Sequence, residues 1–221
     1  MQTLSETEYR ELQQGGQVIE ADGFGEKVIQ LTDQSYLKLF RRKHLISSEI
    51  FKPYAQRFAD NAAKLINLQI HTVNIIGVFN VPSIQRKVVH YKPLLGNVLR
   101  SYLKSITSTE QEQCADELGQ FIAMLHASGV FFRSLHLGNI VKTANGALGL
   151  IDIADMRCLK RPATGAERIR NFRHMIRYRE DMALFGRTIS LMLDSYHLKA
   201  GSLDSFKQAL NTLFQQQRLV V

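Results

Sequence analysis

Apolar and polar residues alternate over short stretches in the N-terminal part of the chain, which is typical of β-strands. This pattern predicts five strands, which span residues 18–19, 27–31, 36–40, 73–79 and 87–91. Turns rich in Gly, Asp and Ser separate the first three strands, so consecutive strands are expected to pair antiparallel. A helical segment interrupts the series at residues 51–68, with Pro53 near the start of its main part.

Helical spacing of apolar residues dominates the C-terminal part. A core helix is predicted to end at Ala127, and Thr109–Glu112 fits a capping box at its start. Two more helices are predicted over residues 181–197 and 202–219, and a short polar helix is predicted over residues 5–14. The pattern thus predicts one antiparallel sheet followed by a helical region.

A short hairpin is predicted between these regions. Ile140 and Val141 begin one strand, Asn145-Gly146 is a strong hairpin turn signal, and residues 148–151 form the return strand. Asn139 precedes the first strand and Asp152 follows the second, so both are expected at the same end of the hairpin. An amide beside a carboxylate makes a site of hard oxygen ligands, which suits magnesium carried by a nucleotide phosphate.

Lys38 is the second candidate for chemistry. It lies in the third predicted strand with apolar residues on either side, and the plain alternative is an ordinary exposed strand lysine. Gly23 and Gly25 lie in the turn before the second strand. Two glycines around a phenylalanine are also what an ordinary tight turn favours.

Length, composition and charge limit the class of protein. The chain has 221 residues, 45% of them hydrophobic and 22% charged, which suits a single large domain or a compact domain with two lobes. The polar start does not resemble a signal peptide, and no stretch has the length of a membrane span. Cys114 and Cys158 lack metal-type spacing, so reduced cytosolic thiols are expected.

The net charge of +8 indicates an acidic partner. Nucleic acid, an anionic membrane face and phosphorylated substrates all qualify, but nucleic acid is disfavoured because no helix-turn-helix or aromatic-basic signature is present. Three groups of basic residues carry much of the charge: residues 41–44; Arg157, Lys160 and Arg161; and Arg168, Arg170, Arg173, Arg177 and Arg179. The third group also fits an ordinary solvated helical face.

The central stretch resembles a family. The catalytic loop of protein kinases has the pattern H-R-D-L-x-x-x-N, and D-F-G follows it after a hairpin. Residues 132–139 are FRSLHLGN, and residues 152–154 are DIA. The preceding Leu125, His126 and Gly129 are similar to the L-H-x-x-G segment before the kinase loop. The closest resemblance is to the lipopolysaccharide core (heptose/Kdo) kinases, including short members often labelled toluene-tolerance proteins.

This resemblance covers roughly residues 17 to 180 and implies a fold. The fold would be α+β: a single kinase-like domain over residues 1–221 with two lobes. The N-lobe would span about 15–92 with a five-stranded antiparallel sheet, and the small helical C-lobe would span about 97–221. The implied cofactors are ATP and Mg.

The resemblance also assigns roles to residues. Lys38 would hold the phosphates of ATP, with Gly23 and Gly25 in the turn above them. Asn139 and Asp152 would hold the metal.

In kinases, an acidic residue on a helix usually pairs with the lysine that holds the phosphates. Asp60 is the first candidate and Glu49 the second, while Phe58 is an alternative occupant of that place. His136 either braces the turn of the loop or takes part in the chemistry.

Ser134 occupies the position of the aspartate that accepts the proton of the substrate hydroxyl. Serine is no general base near neutral pH, and Asp155 is the weak candidate to replace it. Two functions therefore stay open. One is a cytoplasmic kinase, also at the inner membrane surface, that phosphorylates a sugar of the lipopolysaccharide core in Gram-negative envelope biogenesis, with residues 157–179 docking this acidic or phosphorylated acceptor. The other is a pseudokinase that binds nucleotide or acts as a scaffold.

Overall fold

The computed structural model describes residues 1–41 and 53–218 and is α+β. The chain forms two compact units. The first comprises Met1–Leu94 together with Asp152–Asp155, and the second comprises Leu95–Ile151 together with Met156–Val221. The expected α+β class is therefore correct, and each unit has its own secondary structure.

Within the described residues of the first unit, six strands form one sheet in the order β1-β6-β7-β4-β3-β2. They are β1 (Gln2–Thr3), β2 (Gln17–Asp22), β3 (Gly25–Gln30), β4 (Tyr36–Arg41), β6 (Asn74–Val81) and β7 (Arg86–Lys92), and β5 (His71–Thr72) lies outside this sheet. The prediction of five antiparallel strands is wrong, because this sheet has a sixth strand, β1, which pairs parallel to β6. A two-residue strand is too short to show alternation in the sequence.

Helix α1 (Glu6–Leu12) covers one face of this sheet. Ser5 and Glu8 form a capping box at its start, and Tyr9 is buried among sheet residues. The resulting apolar cluster is Leu4, Tyr9, Ile29, Leu31, Leu37, Leu39, Val81 and Val88. Burial of this apolar surface fixes the register of the strands, because a shift by one residue would expose the whole set.

Helix α2 (Tyr54–Asn67) lies on the other face of the sheet. Its Phe58 is buried, and the ring contacts Phe40 of β4 and Tyr91 of β7 at centroid distances of 6.0 and 5.5 Å. The predicted helix began at residue 51, and residues 51 and 52 lie outside the described part of the chain. A short 3-10 turn, Ile153–Asp155, packs against α2.

The second unit contains two small antiparallel sheets. Strands β10 (Ile140–Lys142) and β11 (Leu148–Leu150) form the predicted hairpin, and β8 (Asn97–Val98) pairs with β10. Strands β9 (Val130–Phe132) and β12 (Met156–Cys158) form the other sheet. The hairpin register pairs Ile140 with Leu150, so Asn139 lies opposite Ile151.

Helices make up most of the second unit: α3 (Leu99–Ser105), α4 (Ser108–Ala127), α5 (Gly165–Met175), α6 (Arg179–Phe185), α7 (Ile189–Ala200) and α8 (Asp204–Arg218). The α4 capping box is formed by Thr107 and Glu110, two residues before the predicted one. The reason is that Thr107 still has extended backbone, with φ −69° and ψ 164°, whereas Thr109 is already helical. Helix α4 packs closely on α7, because a Cβ on Gly119 would lie 2.2 Å from the Met192 carbonyl oxygen.

Among the described helices, none combines the length and the apolar character that a membrane crossing requires.

Candidate functional site

Two of the predicted site residues contact each other in the first unit. The Nζ atom of Lys38 lies 2.8 Å from Oδ1 of Asp152. The lysine side chain is only 18% exposed, whereas the aspartate side chain is 49% exposed. A partly buried ammonium and an accessible carboxylate therefore lie together, as a site for phosphate and metal requires.

Aromatic rings surround the lysine on the same face of the sheet. Tyr36, Lys38 and Phe40 alternate along β4 and thus point to one side. Tyr36 stacks on Tyr91 at 5.9 Å, and Phe40 contacts Phe58. Burial raises the pKa of Tyr91, and the nearby charge of Asp152 raises it further. Tyr91 is therefore neutral at physiological pH and forms an apolar wall beside the ion pair.

The backbone of Asp152 is left-handed, with φ +52°. This conformation costs a non-glycine residue about 1 kcal/mol. Ile153 and Ala154, which follow it, are buried, and the Ile153 carbonyl accepts a hydrogen bond of 2.8 Å from Nδ2 of Asn61. The packed turn thus holds Asp152 in a strained conformation while its carboxylate stays accessible.

Asp60, the first candidate for the partner of the lysine, lies on helix α2 and accepts a hydrogen bond of 2.8 Å from Nε2 of Gln56. Lys38 forms an ion pair with Asp152. Phe58 lies on the buried face of the helix. Glu49, the second candidate, lies outside the described residues.

The glycine turn joins β2 to β3. The Phe24 amide donates to Oδ1 of Asp22 at 2.8 Å, and Gly25 has φ +109°, a conformation that favours glycine. Open space surrounds both Gly23 and Gly25. Packing therefore does not explain the missing side chain at Gly23.

Two arginines contact this turn. The Arg41 guanidinium lies 3.4 Å from the centre of the Phe24 ring, a cation–π contact. Nη2 of Arg86 donates to the Phe24 carbonyl at 2.7 Å. The Phe24 side chain is nevertheless 64% exposed, so the tip of the turn is anchored through its backbone and one ring face.

The polar loop of the second unit contains Ser134 and Asn139. Nδ2 of buried Asn139 donates to the Ser134 carbonyl at 3.0 Å, and the Asn139 carbonyl accepts from the Ile151 amide at 3.0 Å. Because the amide nitrogen is held by Ser134, the orientation of the Asn139 side-chain oxygen is fixed. Asp155, the weak candidate base, lies in the 3-10 turn of the first unit.

Asp181 braces this loop and was missed by sequence reasoning. Its side chain is fully buried, and Oδ2 accepts from the Leu137 amide at 2.8 Å. Oδ1 accepts from Nε of Arg100 at 2.6 Å, and this hydrogen bond raises the pKa of the arginine. An aspartate at the start of a predicted helix has the pattern of an ordinary helix-terminal acid, so the sequence alone did not reveal the contact.

His136 has contacts of the bracing kind. Its Nδ1 accepts from the Gly138 amide at 3.1 Å, and its ring lies 4.0 Å from the ring of Tyr178. Nη2 of Arg100 lies 3.5 Å from the same nitrogen. The histidine thus helps to shape the turn between Ser134 and Asn139.

A buried histidine connects the helices to the start of the loop. His126 contacts the Tyr196 hydroxyl at 2.9 Å through Nδ1 and Oδ1 of Asn171 at 3.1 Å through Nε2. Nδ2 of Asn171 donates to the Phe132 carbonyl at 2.5 Å. Burial lowers the pKa of His126 to about 4, so the ring is neutral near physiological pH. Its role is structural.

The donor set suits a metal that arrives with its own oxygen ligands. In the part of the chain that the structure describes, no three His, Cys, Asp or Glu side chains lie together to hold a metal alone. The predicted ligands are one carboxylate, Asp152, and one amide, Asn139, each held in its own unit. Magnesium commonly keeps waters and substrate phosphates as further ligands, so a carboxylate and an amide have the chemistry that its protein ligands need.

Comparison with known proteins does not assign the chain to a family. No family model matches it, and no curated protein matches its sequence at a significant level.

Proposed function

We propose that the chain is a kinase-like protein of two lobes that binds ATP with magnesium and phosphorylates a sugar of the lipopolysaccharide core. The observation that carries the proposal is the pairing of Lys38 with Asp152 at 2.8 Å. A phosphate-holding lysine and a metal-holding aspartate were expected from the sequence pattern, and the two side chains contact each other.

Lys38 and Asp152 can exchange each other for a phosphate and a metal ion when a nucleotide binds. Without nucleotide, each charge neutralises the other, so neither is left unpaired beside the aromatic rings. On binding, the Lys38 ammonium would turn to phosphate oxygens, and the Asp152 carboxylate would be released to the metal. Bound magnesium neutralises charge on the transferring phosphoryl group. A Cβ at Gly23 or Gly25 would meet no atom within 4 Å, so neighbouring side chains do not obstruct the turn that is proposed to cover the phosphates.

Basic residues near the loop support an acidic or phosphorylated acceptor. Burial lowers the pKa of His174, and the charges of Arg177, Arg133 and Arg170 lower it further, which indicates that these arginines lie around it. Arg133 precedes Ser134 in the loop. None of the ion pairs between described residues includes these three arginines, so their charge is available to an anionic partner.

The second candidate function is a pseudokinase, and Ser134 is the observation that favours it. Loss of a general base costs about 10²–10⁴ in rate, which is severe but leaves a reaction that depends mainly on positioning. Nucleotide binding is common to both functions, whereas sugar phosphorylation belongs only to the first.

Thermal unfolding with ATP, with and without magnesium, tests nucleotide binding, which both functions require. A ligand that binds only the folded state raises the melting temperature. We expect a magnesium-dependent increase for the wild type that is lost in Asp152→Ala and kept in Asp194→Ala, an exposed aspartate on α7. No increase at millimolar ATP, or an unchanged one in Asp152→Ala, would contradict the proposed site.

A further inference from the structure

Asn61 is a polar side chain on the buried face of α2. It is 4% exposed, and its neighbours on that face, Phe58, Ala62 and Leu65, are apolar. A buried amide needs a hydrogen-bond partner, because an unsatisfied one is costly. The partner of Nδ2 is the carbonyl of Ile153, at 2.8 Å. Helix α2 is therefore hydrogen-bonded to the backbone of the residue that follows Asp152.

The hydrogen bond from Asn61 lies next to a residue with a strained backbone. Asp152 has φ +52°, and such conformations persist only when the surrounding structure holds them. The Lys38–Asp152 ion pair is a weak restraint by itself, because the carboxylate is half-exposed and exposed pairs contribute little. The buried bond from Asn61 is the stronger restraint on this turn.

Among the described residues on the buried face of α2, none has an acidic side chain. Its members are Ala55, Phe58, Asn61, Ala62 and Leu65. Of these, only Asn61 has a side chain that can donate a hydrogen bond to the turn. A neutral amide bonded to a carbonyl does not titrate, so this link is independent of the charge that a ligand brings.

We infer that Asn61 is a positioning residue: through the Ile153 carbonyl, it holds Asp152 at the place where the carboxylate meets Lys38 and a nucleotide-borne metal. The role toward the metal rests on the proposed function, whereas the positioning of the turn does not. The hydrogen bond of Asn61 is to the backbone of the turn, so its effect on Asp152 passes through that backbone.

The consequence is a selective effect on metal-dependent binding. Magnesium demands nearly ideal ligand geometry, so a displaced Asp152 weakens the metal contribution. Loss of a residue that orients a metal ligand typically costs about tenfold or more in metal affinity. Lys38 stays in its strand, so binding of ATP in EDTA is expected to change by about twofold at most.

The experiment compares Asn61→Leu, which removes the donor but keeps the number and branching of the side-chain heavy atoms, with Leu65→Val. Leu65 is a fully buried residue of the same helix, so the control also lowers stability but leaves the bond to Ile153 intact. Asn61→Ser is the second variant, because its shorter hydroxyl side chain does not span the distance and it avoids the bulk of leucine. Hydrogen exchange of the peptide covering residues 150–158 is measured without ligand, and ATP affinity is measured in magnesium and in EDTA.

We expect faster exchange of this peptide in both Asn61 variants and not in Leu65→Val. We also expect the ratio of ATP affinity in magnesium to that in EDTA to fall about tenfold in the Asn61 variants only. Unchanged exchange in both Asn61 variants, or equal exchange in the control, would overturn the inference. A wild type with no magnesium effect would instead contradict the proposed function, and the exchange result would still decide whether Asn61 positions the turn.

Discussion

The ammonium of Lys38 lies 2.8 Å from the carboxylate of Asp152, although the two residues come from distant parts of the sequence. Lys38 belongs to β4 of the large sheet, and Asp152 begins the turn after the central hairpin. The pair unites a phosphate-binding candidate and a metal-binding candidate on a surface with aromatic walls. The proposed nucleotide site depends on this contact.

The strained backbone at Asp152 predicts different stabilities for two substitutions. Asp152→Gly relieves the left-handed conformation at φ +52°, whereas Asp152→Ala keeps the strain. We expect the glycine variant to be more stable by about 1 kcal/mol, because the strain of a Cβ in this region has that size. Urea denaturation of the two variants measures the difference. A more stable alanine variant would mean that Asp152 does not hold this conformation in solution.

Asp181 is predicted to contribute strongly to stability. Asp181→Ala removes a buried carboxylate and leaves the Leu137 amide and the Arg100 guanidinium without that acceptor. Loss of hydrogen bonds to a charged group costs about 2 kcal/mol or more.

Glu180→Ala is the matched control in a denaturant titration. Glu180 precedes Asp181 and pairs with the same arginine, at 3.5 Å, but it is exposed, so a change below about 0.5 kcal/mol is expected. Equal losses in the two variants would show that burial of Asp181 is not what makes it important.

The buried His126 predicts a loss of stability in mild acid. Burial lowers its pKa from 6.5 to about 4, so the unfolded chain binds a proton at higher pH than the folded chain. The contribution of His126 to the free energy of unfolding should therefore be constant above pH 6.5 and decrease between pH 6.5 and pH 4. This difference in the pKa of His126 corresponds to a change of about 3 kcal/mol in the free energy of unfolding.

Urea unfolding at several pH values, on the wild type and His126→Gln, checks this window. His90, His174 and His197 also have pKa values lowered by burial and add to the same trend. We expect the pH dependence to become shallower in His126→Gln and to stay unchanged in His71→Gln, a variant at an exposed histidine. The same slope in all three proteins would rule out His126 as the main contributor.

Substitution of Ser134 by aspartate is predicted to increase activity. If the missing base limits phosphotransfer, Ser134→Asp should increase phosphorylation of lipopolysaccharide core oligosaccharide by about 10²-fold. Radiolabelled ATP provides the assay, and Ser128→Asp, at the end of α4, controls for added charge. A Ser134→Asp variant that stays at background would show that loss of the base is not what limits the reaction.

Sequence patterns predicted most of the helices and strands that place the candidate residues. Alternation found β4 around Lys38, and the Asn145-Gly146 turn found the hairpin between Asn139 and Asp152. These signals are local, because alternation and turn chemistry depend on neighbouring residues. Strand β1 was missed because two residues carry no period, and its pairing uses only backbone groups, such as the 2.9 Å bond from the Leu4 amide to the Asn80 carbonyl.

Contacts between distant parts of the sequence were not predicted from local signals. Asp181 resembles a helix-terminal acid until its bonds to Leu137 and Arg100 are known. Asn61 resembles a polar interruption of an apolar helix face until its bond to Ile153 is known. Both are buried polar groups, and the sequence shows neither their burial nor their partner.

Equilibrium binding of ATP with magnesium to Lys38→Met tests the central claim most directly. Lys104→Met is the matched control, because Lys104 is an exposed lysine on α3 that pairs with Glu180 at 2.6 Å. We predict that affinity falls at least about tenfold in Lys38→Met, since a charge-assisted bond to phosphate is lost, and stays within about twofold of the wild type in Lys104→Met. Equal affinity of the wild type and Lys38→Met would contradict the assignment of a nucleotide site to Lys38 and Asp152.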